Sequence, residues 1–299
     1  MILLSGLQGG SAGPGGSAGN ESDGNVMILY TSDIHCGVDD GFGLAVPDLL
    51  GVDNDTEKEI QKDMAGLEKV TDEVIGRTDC HLTIYDPVGK DSGGKPLRVV
   101  RFAETNMGDF CADAARIQLG ADIGIVNSGN VRADLKKGDI TYGDILEIYP
   151  FCKDMCIVEA TGQQILDALE WGARSIPSES GAFLQVSGLT YEVDVNTPSP
   201  CTKDDEGMFT GVSGTRRVRN VKVGGKVIDP SAKYTVSGSV YVLTEHGDGC
   251  TMFDGATLIN TGCGLDYMSL IDYIKGPLGG VIGDQYSDPY GEGRIKIIQ

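Results

Sequence analysis

Between residues 104 and 151 the apolar positions change spacing three times. Met107, Phe110, Cys111, Ala114 and Ile117 recur at three- and four-residue steps, one face of a helix. Thr105 or Asn106 supplies a cap at its start and Gly120 a stop at its end. Ile123, Ile125 and Val126 then form a short apolar run that predicts a buried strand. The run halts at Asn127-Ser128-Gly129-Asn130, four residues suited to tight turns, and Arg132 follows. A second helix is predicted from near Thr141, with Asp144 placed to bond back to the cap. It ends before Pro150, and Phe151 stands just beyond it.

The same patterning carries through the rest of the chain. Met155 to Ala160 predicts a strand, and Thr161 with Gln164 predicts a capping box for a helix through Ala173. Ile165, Leu166, Leu169 and Ala173 give that helix an apolar stripe, and Trp171 reads as packing. Strands are predicted over 183–189 and 191–195, then a polar loop over 196–215. Val218 to Val223 and Lys226 to Ile228 flank Gly224-Gly225, a hairpin signature. A strand over 234–236 precedes the loop His246-Gly247-Asp248-Gly249. Leu265, Met268, Leu270 or Ile271, and Ile274 mark a helix that Gly276-Pro277 terminates, and Arg294 to Ile298 is the last strand. Upstream, Val26 to Thr31 is strand-like, and Asp55 to Gly66 is a charged helix with Ile60, Met64 and Leu67 on one side. Interleaved helices and strands predict an α+β fold, a mixed sheet with flanking helices.

Length and charge narrow the class. The 299 residues suffice for one large domain or two ordinary ones, and 40% hydrophobic residues for a real core. A net charge of −20 argues against a nucleic-acid polymer as partner, which needs a broad basic surface. It does not forbid a mononucleotide, which needs only a local cation. No segment is long enough to be transmembrane. Residues 1–25 read as the tail of a secretory signal peptide, or an ordinary disordered terminus, followed by a flexible linker; the first reading puts the protein outside the cell or at its surface. Eight cysteines permit disulfides there, without revealing the pairing; Cys111 and Cys156 sit on apolar faces as buried thiols. His81, beside Leu82, reads as structural.

Two places carry candidate chemistry. A strand that ends in a Gly/Asn turn beside an arginine suits an anion: the glycine lets backbone N–H groups approach, and the guanidinium adds a forked cation. This describes Asn127, Gly129 and Arg132. Asp33 and His35, one residue apart at a strand end, can face one metal ion.

Several motifs extend these readings. Glu104-Thr105-Asn106-x-Gly108, Asn127-x-Gly129-x-x-Arg132, Gly138-Asp139-Ile140-Thr141-Tyr142-Gly143-Asp144, Tyr149-Pro150-Phe151, Thr161-Gly162-Gln163, Phe183-Leu184-Gln185-Val186-Ser187-Gly188 and Gly247-Asp248-Gly249 occur in this order. The series resembles the C-terminal, nucleotide-binding domain of the 5′-nucleotidase family, which also includes 2′,3′-cyclic-nucleotide phosphodiesterases. The resemblance implies a leader and linker over 1–25, a remnant of an N-terminal metallophosphoesterase domain over 26–54, and the C-terminal domain over 55–299.

It also implies a ligand, a nucleoside monophosphate or nucleoside, with its base between two aromatic rings. Phe151 matches the first ring; the second falls at Val242, which cannot stack, with Tyr241 adjacent. Arg132 matches a phosphate contact, Asn127 a hydrogen-bonding residue, Gly129 a close backbone approach and Asp248 the acceptor for the ribose hydroxyls. A further basic position falls at the uncharged Asn106. Asp33 and His35 match metal ligands of the N-terminal domain, whose intact form uses divalent metal ions. This chain has three histidines, His35, His81 and His246, too few for a dinuclear centre, so no stably bound metal and no phosphatase turnover are expected of it. Two readings follow: the specificity half of a secreted nucleotide phosphohydrolase, or a non-catalytic nucleotide-binding or structural surface module.

Overall fold

The computed structural model describes residues 69–298. The leader-like segment, the strand over 26–31, Asp33, His35 and the helix beginning at Asp55 lie outside the described residues.

The strands are β1 (Val74–Thr78), β2 (Ile123–Asn127), β3 (Gly138–Thr141), β4 (Asp154–Thr161), β5 (Leu184–Ser187), β6 (Leu189–Asp194), β7 (Cys201–Lys203), β8 (Phe209–Val212), β9 (Val218–Val223), β10 (Lys226–Val227), β11 (Lys233–Ser239), β12 (Thr257–Leu265), β13 (Val281–Ile282) and β14 (Ile295–Ile298). The helices are α1 (Asn106–Leu119), α2 (Tyr142–Ile148), α3 (Gly162–Gly172), α4 (Val240–Leu243) and α5 (Asp266–Lys275). A five-stranded mixed sheet, ordered β12-β4-β11-β2-β5, is the centre. Around it stand a four-stranded sheet β10-β9-β6-β14, a three-stranded sheet β13-β1-β3 and the ribbon β7-β8. The fold is α+β, mixed sheets with flanking helices.

Local chemistry explains where the helices start and stop. Thr105 caps α1 by accepting the Gly108 N–H at 3.1 Å. Gly120 closes the helix at φ 68°, the left-handed region that costs glycine nothing. Thr141 with Asp144, and Thr161 with Gln164, form complete capping boxes for α2 and α3.

Burial then sorts the faces. Every residue of β2 is buried, because both faces of the central sheet are covered. On one side Met107, Phe110 and Cys111 of α1 pack with Leu270 and Ile274 of α5 and Ile148 of α2. On the other, Ile123, Val158 and Val236 pack with Leu169 and Trp171 of α3 and Tyr191 of β6. Full burial of a side chain such as Phe110 stabilises the fold by about 1.5–3 kcal/mol.

Several expectations are corrected here. Ile117, assigned to the apolar face of α1, is 39% exposed, and Met268 of α5 also faces solvent. Both occupy one edge of their helical stripe, where the sheet no longer covers them. The polar loop expected over 196–215 contains the β7-β8 ribbon, whose three- and four-residue strands are too short to show alternation. Phe209 anchors it, packing edge-on against Trp171 with ring centroids 5.6 Å apart. β12 escaped notice because its first six residues are exposed, so no face of it reads as apolar. Cys111 and Cys156 are fully buried, as expected, and burial pushes the Cys111 thiol up to about 12.

Candidate functional site: one edge of the central sheet

The register of the sheet decides which loops meet. β2 and β11 run parallel, so Asn127 at the end of β2 and Tyr241 just after β11 emerge at the same edge. β4 is antiparallel to β11, so its beginning, preceded by Phe151 and Lys153, lies there too. β12 ends with Leu265 opposite Asp154, which places Asp266 beside Lys153; the Asp266 N–H donates to the Lys153 carbonyl at 2.9 Å. β5 starts with Leu184 opposite Asn127, bringing residues 180–183 to the same edge. Carboxyl ends of parallel strands are where open sheets commonly bind ligands.

The turn after β2 is pinned by the segment before β5. Ser128 and Gly129 donate their N–H groups to the carbonyls of Phe183 and Gly181, both at 2.8 Å. A Cβ on Gly129 would stand 3.1 Å from Gly181 Cα, so the close backbone approach that this glycine permits is to Gly181. Asn130 Nδ2 donates to Asp266 Oδ2 at 2.8 Å, and the Arg132 N–H to the Ile148 carbonyl at 3.0 Å. Arg132 is exposed, its guanidinium carbon 5.9 Å from the Phe151 ring centroid.

Asp248 is held by three side chains. Its backbone is left-handed, with φ 56°, a conformation that aspartate tolerates and most residues resist. Asn127 Nδ2 donates to Asp248 Oδ2 at 2.9 Å. The Tyr241 hydroxyl receives the Asp248 N–H at 3.2 Å and lies 3.4 Å from Oδ1. Trp171 Nε1 donates to the Asp248 carbonyl at 2.9 Å. Trp171 is thus a core residue, as its pattern suggests, and at the same time a positioning residue. Gly247 leaves room for the ring of Tyr241, which a Cβ at that position would strike.

The residue next to Tyr241 takes the opposite direction. Val242 is 2% exposed and packs into the core, so Tyr241, half-buried, presents the ring at this edge. Phe151 is 50% exposed. Lys153 Nζ lies over both rings, 3.3 Å from the Tyr241 centroid and 5.6 Å from that of Phe151. Burial lowers the Lys153 pKa, while Asp248, Asp266 and Glu245 oppose that shift. Asp266 is itself raised by burial, against the pull of Asn130 and of backbone N–H groups.

Four of the five nucleotide-binding positions expected from sequence therefore join one chain of contacts: Asn127 to Asp248, Asp248 to Tyr241, Tyr241 to Lys153, and Lys153 and Arg132 to Phe151. Gly129 shapes the turn beside them. Asn106 does not belong to this group. It is buried, receiving the Thr83 N–H at 2.9 Å and donating to the carbonyls of His81 and Tyr286. His81 pairs with Asp134 at 3.2 Å, and His246 with Asp254 at 2.6 Å. Among the described residues no three His, Cys, Asp or Glu side chains converge as a metal-ion site. Sequence reasoning missed Lys153 and the direction of Tyr241. The only signal for Lys153 was its place two residues beyond Phe151.

A family model for the 5′-nucleotidase C-terminal domain matches residues 83–255, which include Asn127, Gly129, Arg132, Phe151, Lys153, Tyr241 and Asp248. The chain belongs to that family.

Several of its relatives are named as nucleotide-acting enzymes. The trifunctional nucleotide phosphoesterase protein YfkN of Bacillus subtilis is 32% identical over 265 residues, 84% of this chain and 16% of that protein. A 5′-nucleotidase of Vibrio cholerae is 32% identical over 73% of this chain and 35% of its own length. In structure, a 5′-nucleotidase precursor from Thermus thermophilus superposes with a TM-score of 0.63 at 27% identity, covering 81% of this chain and 43% of that one. The chain thus spans less than half the length of these relatives.

Proposed function

We propose that this chain is the nucleotide-binding, specificity-determining domain of a 5′-nucleotidase-type phosphohydrolase, taking a nucleoside monophosphate or nucleoside as ligand. The observation that carries the reading is the Asn127–Asp248–Tyr241 cluster beside Phe151 and Arg132. A carboxylate is an acceptor-only group, suited to a pair of ribose hydroxyls. With Asn127 and Tyr241 holding both oxygens, the carboxylate is aimed before the ligand arrives, which lowers the ordering cost of binding. Phe151 offers an exposed ring face for a base, and Arg132 a forked cation for a phosphate. The cluster is local and carries its own cations, so the acidic balance of the whole chain is no obstacle to an anionic ligand.

In the intact enzymes that this reading invokes, divalent metal ions supply the activation of the attacking water. Asp33 and His35 are the residues of this chain assigned to such ions, and they lie outside the described residues. The domain's own work is to bind and orient: base on Phe151, ribose on Asp248, phosphate toward Arg132. Placement outside the cell or at its surface accompanies this reading; among the described residues no helix is long and apolar enough to cross a membrane.

Calorimetric titration with adenosine and AMP tests the proposal, comparing wild type with Phe151→Ala and Arg132→Ala. Saturable binding weakened in both variants is the expected result, with Arg132→Ala affecting AMP more than adenosine. No binding by wild type would replace the proposal with a structural surface module.

A further inference from the structure

Lys153 stands where the two aromatic rings of the site come together. Its ammonium is held against the face of Tyr241 at 3.3 Å and lies 5.6 Å from the Phe151 centroid. It is half-buried, and its carbonyl is fixed by the Asp266 N–H. The charged groups that face it from neighbouring elements are Asp248, Asp266 and Glu245, and no ion pair among the described residues joins any of them to it. The ammonium is therefore a cation stored on ring faces and free to turn toward a ligand. A base stacked on Phe151 would lie within reach of this group, 5.6 Å from that ring's centroid.

We propose that Lys153 is the base-selecting residue of the site, and that it favours bases with an oxo group on the edge nearest it, the 6-oxopurines above all, over bases with an amino group there. The inference rests on the nucleotide-binding reading above. The chemistry is one of donor against acceptor. A lysine ammonium has three donors and no acceptor. Guanine and hypoxanthine offer O6 and N7 as two adjacent acceptors, the pairing that lysine makes most readily with a base. Adenine offers N7 but sets an N–H donor beside it, so one contact becomes donor against donor. Burial sharpens the difference, because water is poorly placed to repair the mismatch.

The test is calorimetric titration of the chain with IMP and AMP, which share ribose and phosphate and differ in the base edge. Wild type is expected to bind IMP at least about tenfold more tightly than AMP. Lys153→Met, of similar length and without the charge, should bring the two affinities together while both ligands still bind. Lys153→Arg keeps a donor-only cation and should keep the preference. Melting curves of both variants establish that each is folded. Equal affinities in wild type, or a preference that survives in Lys153→Met, would overturn the inference and leave the nucleotide reading intact. Binding that appears only in Lys153→Met would do the same, by making the lysine a plug rather than a selector. Failure of wild type and both variants to bind either nucleotide would overturn the nucleotide reading, and this inference with it.

Discussion

Asn127 and Asp248 stand 121 positions apart in the chain and share a hydrogen bond of 2.9 Å. Asn127 is buried at the end of β2, while Asp248 sits on a left-handed turn beyond β11. The amide spends its donor on one carboxylate oxygen, and the Tyr241 hydroxyl reaches toward the other. A half-buried acidic loop residue is thereby turned into a fixed acceptor.

The backbone at Asp248 accepts glycine, which adopts φ 56° without strain. Asp248→Gly leaves the buried Asn127 amide without its acceptor and should cost about 1–3 kcal/mol of stability, with the domain still folded. Nucleotide affinity should fall at least tenfold, about 1.4 kcal/mol. Chemical denaturation and calorimetry on the same preparation check both halves.

Phe151 makes the complementary case. Its ring is half exposed, so Phe151→Ala should change stability by no more than about 0.5 kcal/mol. Loss of a stacking face should cost about 1–3 kcal/mol of binding. A large fall in melting temperature would reassign the ring to packing.

Trp171 couples the core to the site. Trp171→Phe retains much of the buried ring but removes the Nε1 donor from the Asp248 carbonyl. A lost buried hydrogen bond should cost about 1–3 kcal/mol, and nucleotide binding should weaken with it. An unchanged affinity in a folded variant would show that Asp248 is held without the indole.

The opposite side of the central sheet carries a pH dependence. Asp109 of α1 is pushed up to about 9 by burial, aided by neighbouring Glu104 and opposed by Arg294. Its Oδ1 has no hydrogen-bond partner and lies 3.5 Å from Arg294 Nε, while Oδ2 receives the Glu292 N–H at 3.0 Å. The folded chain thus holds a proton here that the unfolded chain releases above the ordinary 3.8. Stability from this group falls as pH rises between 3.8 and about 9. Asp109→Asn matches the neutral form in shape and donors. Its stability advantage over wild type should grow between pH 5 and pH 8 by at least about 1.4 kcal/mol, measured by urea denaturation at each pH.

Arg294 anchors β14 to α1. Both terminal nitrogens donate to the Asp113 carboxylate at 2.8 Å, and one also to the Val186 carbonyl at 3.0 Å. Asp113 is held below the usual carboxylate range by Arg294, Ser187 and Tyr286, which together overcome its burial. Arg294→Met leaves that charge buried without its cation and should destabilise the domain by about 3–5 kcal/mol in a denaturant melt. Loss of less than about 1 kcal/mol would mean that Asp113 is satisfied by Ser187 and Tyr286 alone.

The elements whose signals are local were legible in the sequence. Thr105 and Gly120, Thr141 and Asp144, and Thr161 and Gln164 bound their helices where expected, because a cap is a contact between residues three or four apart. The Gly224-Gly225 turn follows the same logic, its φ values of 54° and 79° being open to glycine. Asn127, Gly129, Arg132, Phe151 and Asp248 were proposed from short motifs in order along the chain, and the fold brings them to one edge. What those motifs could not carry is direction. Whether Tyr241 or Val242 turns toward the site depends on a four-residue helix after β11, where adjacent side chains diverge and both residues suit either side. Lys153 acquires its place over Tyr241 only because antiparallel β4 begins at the edge where parallel β2 and β11 end. Residue type and spacing fix what a local segment becomes; sheet register, which joins segments more than a hundred residues apart, decides which side chains meet.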